Sequence, residues 1–331
     1  MNTVNVIDQQ FGNDYAIYCG DSCQLVPGIP DDSIHLTVYS PPFPTLYIYS
    51  HSEADMGNNA DADEFMDHYR FLVQDLYRVT MPGRLTCVHV KDLPVFKMTS
   101  GWSAIEDFSG MVSALHREQG WLYHSRITIW KDPVTEMQRT KSHGLLHKSF
   151  AQSTQACRVA MPDYIMVFVK PDYENMGVDV RQLRTPGDYI GTEPPLTAEY
   201  LTSHHKKPSW YPGTDEQYRY SIAVWQRYAS PVWFDIDQSN TLNYKVAKSS
   251  EDEKHMAPLQ LDVIERCIQM WSNPGETVLT PFMGIGSEVV SALKLDRKAI
   301  GIELKPEYFA WAHQYAQEAE TQKSQFRLPG F

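Results

Sequence analysis

Thr277-Val278-Leu279-Thr280-Pro281-Phe282-Met283-Gly284-Ile285-Gly286-Ser287, a helical stretch from Ser287 to Leu295, and then Ala299-Ile300-Gly301-Ile302-Glu303 decide how this chain folds. A short apolar, β-branched run leads into a glycine-rich turn and a helix, and a second apolar run ends in a carboxylate. The pattern predicts a strand–turn–helix–strand unit. Gly284 and Gly286 let the backbone approach a ligand closely and reach dihedrals closed to other residues. A carboxylate ending the next strand, about twenty residues on, is placed to accept hydrogen bonds from ribose hydroxyls. The unit predicts a nucleotide-like ligand. It lacks the full six-residue glycine fingerprint of a nicotinamide-binding turn, which argues against a dehydrogenase.

Working outward, the same rhythm recurs. Buried-strand runs are predicted at Tyr15 to Cys19, Ile34 to Tyr39, Arg84 to Val90, Arg126 to Trp130 and Tyr164 to Val169. Helical patterns lie between them: Glu64 to Val79 puts Phe65, Tyr69, Leu72, Leu76 and Val79 on one face, and Asp107 to Glu118 and Leu259 to Trp271 do the same. Strands alternating with helices predict an α/β fold with a mostly parallel sheet covered on both faces. The stretch 170–253 breaks the rhythm. It is rich in Pro, Tyr and Trp, with turn signals at Pro186-Gly187, Pro194-Pro195 and Pro212-Gly213. It is read as a separate, irregular insert.

A second motif, Ser40-Pro41-Pro42-Phe43, ends the Ile34 to Tyr39 run. Two prolines fix φ and remove two backbone donors. The result is a rigid turn offering acceptors, the Ser40 hydroxyl and the Pro41 carbonyl, beside an aromatic ring. The exocyclic amino group of a base is a poor nucleophile because its lone pair is delocalised. Two acceptors gripping its hydrogens favour a pyramidal nitrogen, and Phe43 is placed to stack on a base turned out of the helix. An ordinary structural turn is the alternative for this motif taken alone.

Together, and in this order, the motifs resemble the amino-group DNA methyltransferases. Their acceptor motif reads (Asp/Asn/Ser)-Pro-Pro-(Tyr/Phe/Trp), and their cofactor motif Asp-Pro-Phe-x-Gly-x-Gly-Thr. The acceptor motif coming first matches the permuted, β group of that family. Gly20-Asp21 before the catalytic strand, Pro82-Gly83, the segment from His255 to Leu261, and Asn273-Pro274-Gly275-Glu276 add to the likeness, which covers roughly residues 15–170 and 254–312. It implies a Rossmann-like, S-adenosylmethionine-dependent methyltransferase fold, circularly permuted, with seven strands of which one is antiparallel. The catalytic domain would be 1–170 with 254–331, and 171–253 would be the target-recognition insert. It further implies S-adenosyl-L-methionine as cofactor and double-stranded DNA as partner, with no metal. Ser40 and Pro41 would hold the amino group and Phe43 the base, with Pro42 completing the catalytic motif. Pro281, Phe282, Gly284 and Gly286 would line the methionine end of the cofactor, Glu303 the ribose and Asp21 the adenosine part. A helix N-cap is the other reading of Asp21.

The chain departs from the family at Thr280, where an Asp is usual, and at Ser287, where a Thr is usual. Thr280 loses a negative charge that favours the cofactor's cationic end. A first-position Ser leans toward N4-cytosine as the target, with N6-adenine the alternative. No Pro-Cys pair exists, which argues against C5-cytosine methylation. A methyltransferase acting on RNA or a protein amide, and a decayed protein that binds DNA or cofactor without turnover, are the rival readings.

The chain has 331 residues and a net charge of -12, so a phosphate-binding face must be locally basic. From Met137 to Pro162 there is no Asp or Glu, while Arg139, Lys141, Lys148 and Arg158 join His143 and His147. Residues 131–162 are read as a basic, mobile loop closing over DNA, with Arg139, Lys141 and Lys148 on phosphates. A second small cluster is His204-His205-Lys206-Lys207. The five cysteines show no paired metal-ligand spacing and suit a reduced compartment. With no secretion signal and no long apolar run, a soluble cytoplasmic protein is expected. Relatives of the permuted group often form homodimers. Nothing resembles a cleavage domain, which fits a solitary modification enzyme of phage type better than a fused restriction system.

Overall fold

The computed structural model describes residues 6–43, 56–59, 62–95, 101, 104–140, 145–152, 158–174, 206–211, 213–243 and 258–326. Among these, eleven strands are formed: β1 (Asp8–Phe11), β2 (Tyr15–Cys19), β3 (Ile34–Tyr39), β4 (Thr80–Lys91), β5 (Leu93–Val95), β6 (Ala104–Glu106), β7 (Leu122–Ile129), β8 (Asp163–Val169), β9 (Val232–Trp233), β10 (Thr277–Thr280) and β11 (Lys298–Glu303). The helices are α1 (Ser22–Leu25), α2 (Ala62–Val79), α3 (Phe108–Glu118), α4 (Pro133–Thr140), α5 (His147–Gln152), α6 (Asp215–Tyr228), α7 (Leu261–Trp271), α8 (Ser287–Lys294) and α9 (Pro306–Phe326).

The main sheet runs β1-β2-β11-β10-β3-β4-β8-β7-β9, nine strands rather than the seven expected. The seven runs read from the sequence all become strands of it. The two additions sit at the edges: β1 is antiparallel to β2, and the two-residue β9 is parallel to β7. From β2 to β4 the strands are parallel, whereas β8 is antiparallel to both its neighbours, β4 and β7. β5 and β6 form a separate hairpin-like pair.

Burial on both faces explains the near-continuous apolar strands. In β8, Ile165 and Val167 point into one core while Met166 and Phe168 point into the other. The first core lies under α7, α8 and α9 and includes Ile264, Ile268, Val289 and Ala312; the second lies under α2 and α3 and includes Phe65, Tyr69, Leu72 and Val112. β4 begins four residues before the predicted Arg84 and takes in Pro82 and Gly83. Its pairing with β3 jumps from Ile34↔Thr80 to Leu36↔Leu85. Gly83, at φ 78°, and Pro82 sit in the irregularity, where neither weakens the ladder. The shift has a consequence for β3: Ile34 packs into the second core and Leu36 and Val38 into the first.

The described part of the 171–253 stretch is not separate from this body. Thr214 caps α6 in a reciprocal capping box with Gln217. Arg266 on α7 reaches both carboxylate oxygens of Asp235 at 2.8 Å and lies over the rings of Tyr228 and Trp233. Trp233 and Ile236 are buried in the first core. Residues 175–205 and 244–257, with His204, His205, His255, Met256 and Ala257, lie outside the described residues. Among the described residues no helix is long and apolar enough to cross a membrane.

Candidate active site

β10, β11 and β2 end together at one edge of the sheet. Gly20 N donates to Glu303 O at 2.9 Å, and Met283 N donates to Ile302 O at 2.9 Å. The Ser22 hydroxyl donates a short hydrogen bond to Pro281 O, fastening the turn after β2 to the turn after β10. Both glycines of that turn have positive φ, 53° at Gly284 and 95° at Gly286, where a side chain would be strained. Their reasons differ. A Cβ on Gly286 would stand 3.1 Å from Ala312 Cα, so the turn is pressed against α9; one on Gly284 would meet nothing within 4 Å, so its backbone faces open space.

The Glu303 carboxylate folds back over the turn. Its Oε2 accepts from Gly284 N at 2.9 Å and its Oε1 from Lys305 N at 2.8 Å. The two bonds fix the direction of both oxygens before any ligand arrives. Thr280, which ends β10, is buried, and its Oγ1 has no hydrogen-bond partner among the described residues. The open Gly284 backbone, the oriented Glu303 carboxylate and the orphaned Thr280 hydroxyl fit a nucleoside cofactor lying across this edge. Glu288, in the first turn of α8, is also buried. Its burial, aided by the Glu303 charge and opposed by a backbone hydrogen bond, pushes its pKa up to about 8, so at neutral pH it keeps its proton.

Beside this turn, on the next strand, lies the Ser40-Pro41-Pro42-Phe43 corner. β10 and β3 pair in parallel at Val278↔Leu36 and Leu279↔Thr37, which brings both motifs to the same edge. The chain order reverses direction across the sheet between these two strands, the position where open α/β sheets bind ligands. Tyr39 and Phe282 join the motifs with ring centroids 6.0 Å apart, and the Tyr39 hydroxyl lies 2.5 Å from that of Tyr69 on α2. Pro41 is buried while Ser40, Pro42 and Phe43 are half-buried. Phe43 meets Phe108 and His89 edge-on, at 6.2 and 6.4 Å.

Behind Ser40 stands a cluster that sequence reasoning missed. Ser40 Oγ lies 3.1 Å from His89 Nδ1, and His89 Nε2 lies 3.3 Å from Asp163 Oδ2. Asp163 also faces Lys131 at 2.6 Å and Lys91 at 3.5 Å, and Lys91 pairs with Glu136 at 2.5 Å. Burial works to raise the Asp163 pKa, but His89, Lys131 and Lys91 outweigh it and hold the carboxylate far below its usual range. One sign was available: His89 and Lys91 are polar residues on a strand otherwise buried on both faces. Their partners come from β8 and α4, which no local pattern links to β4.

The predicted site residues divide cleanly. Ser40, Pro41, Pro42, Phe43, Pro281, Phe282, Gly284, Gly286 and Glu303 are brought to one edge. Asp21 is at that edge too, but as the N-cap of α1: its Oδ1 accepts from Cys23 N at 2.9 Å and its Oδ2 from Gln24 Nε2 at 3.1 Å. The basic segment 131–162 is not a bare loop, since it carries α4 and α5 between two paired strands. Lys131 and Glu136 are buried. Lys148 is exposed on α5; Lys141, and the Arg139 side chain on α4, lie outside the described residues.

The family described as DNA methylase, N6_N4_Mtase, matches residues 34–314. The type II methyltransferase M.MjaI of Methanocaldococcus jannaschii is 23% identical over 320 residues, covering 88% of this chain and 87% of its own. M.MthZI of Methanothermobacter thermautotrophicus, also a type II methyltransferase, is 22% identical over 290 residues, 83% of this chain and 69% of its own. Among solved structures, a protein of Thermus thermophilus described as a putative DNA modification methylase and complexed with S-adenosyl-L-methionine superposes with a TM-score of 0.60 at 21% identity over 95% of each chain. The cytosine-N4-specific PvuII DNA methyltransferase does so with a TM-score of 0.58 at 16% identity over 96% of each. With the match spanning both motifs and the sheet between them, the chain belongs to the N6/N4 DNA methylase family.

Proposed function

We propose that this S-adenosyl-L-methionine-dependent DNA methyltransferase acts on N4 of a cytosine turned out of the duplex. The observation that carries this reading is the Ser40 corner beside the Gly284 turn, with Ser rather than a carboxylate or amide at its first position. Ser40 Oγ and the Pro41 carbonyl accept the amino hydrogens, localising the nitrogen lone pair. The buried Pro41 and the φ-restricted Pro42 hold both acceptors still, and Phe43 presents a half-buried ring to the base. Bound S-adenosyl-L-methionine supplies an electrophilic methyl group on a cationic sulfur. The chain's work is to align and desolvate the nitrogen for in-line attack, with Glu303 on the ribose and Phe282 and the two glycines lining the rest of the cofactor.

The acceptor motif lies N-terminal to the cofactor motif, which supports a permuted order of the two halves. The insert at 171–253 is read as the target-recognition region, anchored to the sheet through α6 and β9. The test is direct. Purified protein is incubated with unmethylated genomic DNA and labelled S-adenosyl-L-methionine, and the DNA is digested to nucleosides for mass spectrometry. N4-methylcytosine is expected, and none from a Ser40→Ala, Phe43→Ala double variant. N6-methyladenine in its place would overturn the choice of base while keeping the enzyme.

The basic segment supplies the phosphate contacts in this reading. Reversing charge at Arg139, Lys141 and Lys148 together is expected to lower DNA affinity and to flatten its dependence on salt by about three units of log–log slope. Fluorescence anisotropy across a salt series measures both. An unchanged slope would remove these residues from the DNA interface.

A further inference from the structure

We propose that His89 is a positioning residue that holds the Ser40 hydroxyl as a hydrogen-bond acceptor toward the target amino group. The inference rests on the reading of Ser40 as an acceptor and deepens it. A serine hydroxyl both donates and accepts. If its own hydrogen pointed at the base, it would oppose the amino group instead of gripping it. The surroundings of His89 decide the direction. Asp163 Oδ2 stands 3.3 Å from Nε2, a contact without hydrogen-bond geometry, but as a carboxylate it can only accept, and its charge favours the ring proton on Nε2 over Nδ1. Nδ1 is then left as an acceptor, 3.1 Å from Ser40 Oγ, and takes the hydroxyl hydrogen. The Ser40 lone pairs are turned outward to the base.

The rest of the cluster keeps this arrangement in place. Asp163 and Glu136 contribute two carboxylates, and Lys91 and Lys131 two ammonium groups, so the cluster calls for no further cation. His89 is buried and Phe43 packs on it edge-to-face, so the ring has little room to turn. Lys131 is held besides by Gln238 at 2.5 Å, which ties the cluster to the segment after β9.

Two near-isosteric variants separate positioning from support. His89→Asn keeps a side-chain oxygen near the place of Nδ1, whereas His89→Gln extends its amide toward Asp163 and leaves Ser40 without an acceptor. Both are measured in single-turnover methyl transfer to unmethylated genomic DNA, alone and in a Ser40→Ala background, alongside S-adenosyl-L-methionine affinity by titration. His89→Gln is expected to slow transfer by about tenfold to a hundredfold, the worth of one hydrogen bond to a group gaining charge, and His89→Asn by less than about fivefold. Cofactor affinity stays within about twofold, and in the Ser40→Ala background neither variant slows transfer further, as non-additivity of a coupled pair requires. Equal losses in both backgrounds, or a rate for His89→Gln at or above that of His89→Asn, would overturn the proposal. A Ser40→Ala variant as fast as the native protein would instead overturn the acceptor reading of Ser40, a distinguishable result.

Discussion

Replacing Glu303 with alanine is expected to weaken S-adenosyl-L-methionine binding by about two to four orders of magnitude. Each carboxylate oxygen already accepts one backbone N–H, from Gly284 and from Lys305, and so is fixed in direction before a ligand arrives. A diol donating to both oxygens gains two charge-assisted bonds, each worth about 1.5–3 kcal/mol. The conservative Glu303→Gln keeps one acceptor and the tie to one turn, and should fall between the two. Calorimetric titration with S-adenosyl-L-methionine, with thermal unfolding of the free protein as a check on the turn, measures the effect. An alanine variant that binds within about threefold of the native protein would remove Glu303 from the ribose.

The second large effect is on stability. Asp163→Ala leaves the buried Lys131 without its carboxylate and the half-buried Lys91 with Glu136 alone, and removing one partner of such a cluster costs about 3–5 kcal/mol. The penalty is expected as a lowered urea midpoint with an unchanged slope. The pH dependence has a definite sign. The folded carboxylate is held far below its ordinary range, against an unfolded value of about 3.9. Its contribution is therefore complete above about pH 5 and is lost as pH falls below the unfolded value toward the folded one. The native protein should lose stability steeply over that acid range, and Asp163→Asn should lose it less steeply. Parallel curves for the two proteins would show that Asp163 is not the group responsible.

Much of the fold was legible because its signals are local. The seven predicted strands rest on short β-branched runs, and helix α2 on five apolar positions spaced around one face. Both kinds of pattern follow from residues within a few positions of one another. The edge strands β1 and β9 were missed for the same reason. Asp8-Gln9-Gln10-Phe11 carries no apolar alternation, and Val232-Trp233 is too short to show a period. Each is a strand because a neighbour offers an unpaired edge. The insert reads as a separate, irregular unit in sequence because its Pro- and Tyr-rich composition hides Trp233 and Asp235, whose contacts with Arg266 tie it to α7. Asp21 shows how one residue can satisfy two readings, since its place at the strand end suits a ligand while its side chain caps α1.

The sequence by itself determined the two motifs, their order, and the strands that end in them, because a strand, a tight turn and a helix start are each fixed by adjacent residues. What only the tertiary structure decided is which side chains stand behind Ser40. His89 is 49 positions away, and Asp163 and Lys131 come from strands and connections further along the chain. Buried charges must find partners wherever the fold brings them, since an unpaired charge in the interior is too costly to keep. That pairing is a property of the packed sheet, and no local pattern records it.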